Sequence, residues 1–305
     1  MEGIIPLWKE KGMTSHDCVF KLRKILKTKK VGHSGTLDPD VEGVLPIAIG
    51  KATKVLEYMV NTGKTYEGEV TIGYSTTTED RSGELVEKKS VGSELTVEAV
   101  DKAIQSLTGE ITQIPPMYSA VKVNGKRLYE YARAGEVIER PSRQVMIHGY
   151  ERTSDLVFND ENQTCSFTFK VSCSKGTYIR TLAVNTGELL GYPAHMSDLV
   201  RTQSGGYESA QAVTLSEVQT AVDHDQIGEL LRPLETALTS FTSYQLTEEE
   251  WLKVKNGSVF EQERLPAFAE YPVVFLYDHK AVAIYDLHPI KTGLLKPVKV
   301  LRTEM

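Results

Sequence analysis

Three carboxylates, Asp38, Asp40 and Glu42, fall close together in the stretch Gly32-His33-Ser34-Gly35-Thr36-Leu37-Asp38-Pro39-Asp40-Val41-Glu42-Gly43-Val44-Leu45-Pro46. Carboxylates can attack an electrophile, move a proton or hold a cation. Three glycines and two prolines share the stretch with them, which predicts a stiff loop rather than the interior of a helix or strand. A carboxylate set in such a loop, beside the apolar run Val44-Leu45, is placed for reaction chemistry, and Asp38 is the leading candidate. Spacing removes three other uses. Counted as a calcium loop from Asp38, the twelfth position is Ile49 where a bidentate Glu is needed. Gly43 and Gly50 are too far apart for a phosphate loop, and Lys51 is followed by Ala52. No Gly-x-Gly-x-x-Gly occurs, so the dinucleotide fingerprint is missing.

The elements around this loop follow from pattern. Gly3 to Trp8 reads as a short strand. Thr14 or Ser15 then caps a helix in which Val19, Leu22, Ile25 and Leu26 recur at helical spacing. Its other side carries Lys21, Arg23, Lys24 and Lys27, followed by Lys29 and Lys30. That stripe is either a solvated face or a surface for phosphates on the way to Asp38. Lys64 to Gly73 alternates as a strand, and on composition alone its Tyr66 is a cross-strand packing residue. Residues 74 to 95 read as loop with an edge strand, and Thr96 caps a helix from Val97 to Leu107. Pro115 to Arg133 interleaves bases with tyrosines, which suits unpaired RNA bases and their backbone and equally suits an exposed hairpin and amphipathic helix. Strands are predicted at 144 to 152 and 164 to 174. The following helix ends near Gly191 and carries Arg180 in its first turn, where the helix dipole prefers anions. That placement points to a partner carboxylate.

Towards the end, Leu246-Thr247-Glu248-Glu249-Glu250-Trp251 is a capping box with a hydrophobic staple. It opens a new unit whose runs Val273–Tyr277, Ala281–Tyr285 and Leu294–Leu301 predict a small β-rich module.

Length and composition frame these elements. A chain of 305 residues, 40% hydrophobic and 25% charged, has ordinary globular composition and room for one large domain or two unequal ones. Cys18, Cys165 and Cys173 form no C-x-x-C pair, so neither zinc nor redox chemistry is signalled, and so sparse a set suits a reducing compartment. No signal-peptide pattern opens the chain and no apolar run approaches a membrane span; a cytoplasmic protein without a membrane partner is expected. The net charge is −6, yet residues 1 to 54 carry ten Lys and Arg against six Asp and Glu. The basic surface is local.

The motif Gly-His-x-Gly-Thr-Leu-Asp-Pro-x-x-x-Gly-Val-Leu-Pro resembles the catalytic loop of the TruB family of tRNA pseudouridine synthases, with Val41 where that family usually has Ala. Four further stretches resemble the same family: the opening Gly-Ile to Lys9-Glu10-Lys11-Gly12, without the usual proline; Lys64-x-Tyr66; Tyr118-Ser119-Ala120-x-Lys122-x-x-Gly125 through Tyr129 to Arg133; and Gly176-x-Tyr178-Ile179-Arg180-x-Leu182. A last one is Leu199-x-Arg201-Thr202.

The resemblance implies an α+β pseudouridine synthase fold with a mixed, largely antiparallel central sheet flanked by helices. It also implies a catalytic domain over 1–240, with an RNA-gripping insertion at about 110–150, and a PUA-like RNA-binding β-barrel over 241–305. The implied reaction turns the T-loop uridine of tRNA, position 55, into pseudouridine after base flipping, with no cofactor and no nucleotide. The implied partner is the T-arm stem-loop, met by a monomer that can also assist tRNA folding. Asp38 would be the nucleophile, Arg180 its ion-pair partner, and Tyr66 the ring lying against the base, with a possible part in proton transfer. His33 would either occupy the position vacated by the flipped base or be an ordinary structural histidine. Lys24, Lys30, Lys64, Lys122, Lys126, Tyr129, Arg133, Leu199 and Arg201 would meet RNA. No metal is implied.

Two other classes compete. A hydrolase could use Asp38, Asp40 and Glu42 as paired carboxylates, but neighbours on one loop rarely face each other across a bond. A non-catalytic RNA chaperone could be built on the basic stripe and the C-terminal module.

Overall fold

The computed structural model describes all residues, Met1–Met305. β1 (Gly3–Lys9) is buried along nearly its whole length. Thr14 caps α1 (Ser15–Ile25) in a reciprocal box with Asp17, and Cys18, Val19 and Leu22 turn inward. β2 (Val31–His33) pairs antiparallel with β3 (Glu42–Ile49), His33 opposite Ile47. The stretch read from sequence as loop is therefore loop only from Ser34 to Val41. Val44, Leu45, Ile47 and Ile49 are all fully buried, and burial on both faces outweighs the poor strand preference of Gly43 and Pro46.

α2 (Leu56–Asn61) follows a 3-10 turn, and β4 (Lys64–Ile72) begins the main sheet. β5 (Tyr74–Thr76) and β6 (Leu85–Lys88) form a hairpin. α3 (Val97–Ser106) leads to β7 (Gly109–Gln113). β8 (Lys122–Val123), β9 (Lys126–Arg127) and α4 (Leu128–Ala134) then precede β10 (Arg143–Arg152). Since β7 and β10 are direct antiparallel partners, Gln113 opposite Arg143, residues 114–142 are an excursion between adjacent strands. β11 (Val157–Asn159) and β12 (Thr164–Cys173) are followed by α5 (Ile179–Leu190), closed by Gly191 in the left-handed conformation, and by β13 (Ala194–Ser204).

The C-terminal part holds β14 (Tyr207–Glu208), α6 (Leu215–Asp223) and α7 (Ile227–Leu230). After them come β15 (Ser243–Gln245), α8 (Glu248–Val254), β16 (Phe260–Glu261), β17 (Val273–Tyr277), β18 (Lys280–Leu287) and β19 (Leu294–Val300). The expected capping box of Thr247 and Glu250 starts α8. These strands make a separate sheet in the order β15-β17-β18-β19-β16. It is open between its two short edge strands, a half-barrel around Phe275, Tyr285 and Leu295.

Packing divides the chain differently from a linear boundary at 240/241. One compact unit comprises 1–40, 44–61 and 205–305, and the other 41–43 and 62–204. In the first, Ile4, Val44, Ala48 and Val55 share a core with Leu234, Leu238, Val274 and Ile284, so the chain's beginning and end bury each other. A boundary drawn along the sequence assumes that each domain is contiguous, and this core is not.

In the second unit the sheet order is β13-β4-β12-β10-β7, and β3 starts beside β13. The sheet is mixed: Glu42 and Gly43 run parallel to Val200 and Arg201, whereas β4 is antiparallel to both β12 and β13. Gly43 has φ +130°, and a Cβ there would overlap the backbone of Arg201. Gly43→Ala is expected to destabilise the protein by roughly 3 kcal/mol, a fall of about 6–12 °C in Tm that calorimetry would read. No helix is long and apolar enough to cross a membrane.

Candidate active site

In the first unit, Asp38 lies in the short loop between β2 and β3, half-buried, with buried Leu37 before it and exposed Pro39 and Asp40 after it. Both flanks are pinned. The Ser15 hydroxyl accepts from the Leu37 N–H at 2.8 Å and approaches the Leu37 carbonyl at 3.3 Å. On the other side, Pro39 accepts from the Gly12 N–H at 2.9 Å and from the Lys9 ammonium at 3.1 Å. Lys9 is fully buried and also donates to the carbonyls of Glu10 and Met13. A buried ammonium is tolerated when several carbonyls replace its water. Thus the proline-free segment Lys9-Glu10-Lys11-Gly12 still clamps the loop, through a lysine side chain and a glycine amide. His33 is half-buried at the end of β2, and its Nδ1 accepts from the Gly35 N–H at 3.3 Å. Lys24 and Lys30 are exposed, Lys24 lying 4.5 Å from the centre of the Phe20 ring. Arg23, from the same stripe, is engaged with the Val31 carbonyl.

The second unit carries the other candidates. Tyr66 is buried on β4, opposite Val171 on one side and Arg201 on the other. Leu199 is opposite Gly68 one step along, and Lys64 is opposite Ser204. Side chains of directly paired residues share a face, so Lys64, Tyr66, Leu199 and Arg201 meet on one patch of the sheet. Burial, with Arg201 nearby, pushes the Lys64 ammonium down to about 8. Arg201 is fully buried, a buried cationic pair that predictions from exposed RNA contacts do not anticipate.

Arg180 is buried in the first turn of α5. Its Nη1 donates to the Thr78 carbonyl and its Nη2 to the Tyr118 carbonyl, each at 2.9 Å, and its Nε lies 4.0 Å from Asp80 Oδ2. Asp80 is itself held, since Oδ1 accepts from the Thr78 hydroxyl, the Ser82 N–H and the Ser82 hydroxyl at 2.6–2.9 Å. Asp80 lies in the stretch 74 to 95, whose sequence predicts only loop with an edge strand. The available signal was weak: an Asp two residues before Ser82 and three before Gly83, the composition of any Asx-turn.

Within the 114–142 excursion, Lys122 and Lys126 are exposed. The guanidiniums of Arg127 and Arg133 lie 5.8 and 5.3 Å from the centre of the Tyr129 ring, and Lys126 lies 5.1 Å from that of Tyr131. Lys126 also faces Glu136 at 3.4 Å. Such a cluster of rings and cations can stack bases and contact phosphates.

Comparison with known proteins gives consistent likenesses. Residues 23–179 match the model of the TruB family pseudouridylate synthase N-terminal domain, and residues 180–239 that of the tRNA pseudouridylate synthase B C-terminal domain. The chain is 53% identical to tRNA pseudouridine synthase B of Halalkalibacterium halodurans over 306 residues, covering 100% of this chain and 99% of that one. It is 54% identical to the protein of the same name from Listeria welshimeri over 303 residues, with 99% and 98% covered. Among solved structures, a Cbf5-Nop10-Gar1 complex has a chain that superposes with a TM-score of 0.73 at 26% identity, over 98% of this chain and 85% of that one.

Proposed function

Because the chain belongs to the TruB family of pseudouridylate synthases, we propose that it acts on the T-loop uridine of tRNA, position 55, with Asp38 as the reacting carboxylate. It is an isomerase of tRNA uridine, with the pseudouridine synthase fold. The bond from uracil N1 to the ribose C1′ breaks, a bond from C5 to C1′ forms, and the C5 proton leaves as N1 gains one. Nothing is oxidised or reduced, and no atom beyond protons is exchanged.

The observation that carries the role of Asp38 is the pinning of its loop on both sides, by Ser15 at Leu37 and by Lys9 and Gly12 at Pro39. A carboxylate that must act at one point of a nucleotide while its base rotates needs a backbone that does not move. In the proposed reaction the uridine leaves its stack, at a cost of a few kcal/mol, and its base lies against Tyr66. The Arg180 guanidinium pairs with Asp38, keeping the carboxylate ionised and oriented. Leu199, buried beside Tyr66, supplies apolar wall that shields the detached uracil from water, whereas Val44 and Leu45 are spent in the cores on either side of β3. The exposed lysines of α1 and the following turn, the ring-and-cation cluster of the excursion, and the C-terminal module over 241–305 bind the RNA backbone and loop. In that role the last is a PUA-like domain.

The test is release of tritium from a T-arm hairpin labelled at C5 of its uridines. Release is expected in proportion to pseudouridine formed at the T-loop position, and a hairpin with cytidine there is expected to release none. Binding of the hairpin without release would overturn the enzymatic reading in favour of an RNA-folding role.

A further inference from the structure

We infer that Glu79 is a positioning residue for Arg180, tying the base of the 114–142 excursion to the first turn of α5, so that where the excursion sits decides where the guanidinium sits. The inference builds on the reading of Arg180 given above. It arises from contacts at the base of the excursion, all within one unit.

On the entering side, the buried Gln113 side chain takes both backbone groups of Tyr178, the residue before α5, accepting at 2.9 Å and donating at 3.2 Å. Five residues on, the Tyr118 carbonyl accepts directly from Arg180. On the leaving side, Arg140 donates to the Pro115 carbonyl at 3.0 Å, closing the excursion on itself, and faces Glu79 Oε1 at 3.9 Å. The other oxygen of Glu79 accepts from the Thr181 hydroxyl at 2.8 Å, next along α5 from Arg180. Arg143 stacks on Tyr178 at 5.3 Å. Glu79 therefore joins the exit of the excursion to the helix turn that carries Arg180, and its neighbour Thr78 supplies the guanidinium's other carbonyl.

Two features show that Glu79 is held in place by its surroundings. It is a non-glycine residue at φ +64°, a conformation that costs free energy unless its surroundings enforce it. Here they do: Met196 donates to the Glu79 carbonyl and accepts from the Arg81 N–H. Burial also raises the Glu79 carboxyl above the usual range, against the lowering effects of Thr181, Arg180 and Arg140 and with Glu188 adding to the rise. A carboxyl raised on folding stabilises the protein most when protonated, and that contribution is lost as pH rises through its folded value.

The test compares wild type, Glu79→Gln, Arg140→Gln and the double variant by tritium release from the T-arm hairpin. Amide hydrogen exchange of residues 114–142 and of the first turn of α5 is measured alongside. Glutamine keeps an acceptor for Thr181 and removes the charge. Each single variant is expected to lower kcat about tenfold with KM nearly unchanged, and the double variant to be no slower than either. The Tm of Glu79→Gln is expected to hold or rise, and exchange in the α5 turn to quicken together with exchange in the excursion. Multiplicative losses, a rise in KM at constant kcat, or a loosened excursion beside a fully protected α5 turn would each overturn the inference. Silence of the wild type would overturn the proposed function instead, and exchange alone would then decide the coupling.

Discussion

Asp38→Asn is expected to lower tritium release by at least about 10^4-fold, as removal of a reacting group does, while the T-arm hairpin still binds within a few-fold of wild type. Asparagine matches aspartate in size but carries no charge and is a poor nucleophile. The loop is expected to hold its shape, because the Ser15, Lys9 and Gly12 contacts fall on the backbone of Leu37 and Pro39. Single-turnover assays with excess enzyme separate this loss of chemistry from weakened binding. Asp40→Asn is the companion measurement. Asp40 is exposed, and its substitution should leave turnover within about twofold, as for a surface change away from the chemistry. A large loss there would count against Asp38 acting without Asp40.

Arg180→Lys is expected to lower kcat by about 10^2- to 10^3-fold, the scale set by losing one preorganised electrostatic contact. The charge survives, but the fork does not. Arg180 divides its nitrogens between two carbonyls and the neighbourhood of Asp80; an ammonium at the end of a flexible stem cannot hold all three directions at once. Since the group is buried, the loop at 78–80 and the chain at Tyr118 would lose their shared donor, so a moderate fall in Tm is expected as well. The decisive reading is kcat at saturating RNA. A variant that recovers full turnover when RNA is raised would show that Arg180 serves binding, not the ionised state of Asp38.

These two residues differ in how visibly they were written in the sequence. Asp38 stood out because glycine, proline and carboxylate together have few structural uses, and the surrounding motif is long enough to be specific. Arg180 stood out because a cation in a first helical turn is electrostatically misplaced. Tyr66 did not stand out at all on composition; only the resemblance of Lys64-x-Tyr66 singled it out. Helix starts at Thr14, Thr96 and Thr247 were legible because a cap is a local contact between residues three apart. The extent of the Asp38 loop is not a local property, because whether Val44 to Ile49 is loop or strand depends on β1 and β2 lying beside it. The open edge of the C-terminal sheet depends likewise on pairing partners far along the chain.

Asp80 and Glu79 show where local reading ends. Their segment has the composition of a surface turn, and only folding carries it to α5, about a hundred residues later in the chain, where Arg180 and Thr181 take up its oxygens. The same holds for Lys9, whose burial under Pro39 follows from a contact thirty residues away. By itself the sequence determined the family, the candidate carboxylate and the elements whose signals are local: caps, alternation and turn residues. Tertiary structure alone decided which backbone carbonyls hold Arg180, that Lys64 and Arg201 share a buried patch with Tyr66, and that the two ends of the chain form one core. Those are matters of which distant segments meet. They are set by the summed burial of apolar surface over the whole chain, a quantity that no short stretch of residues contains.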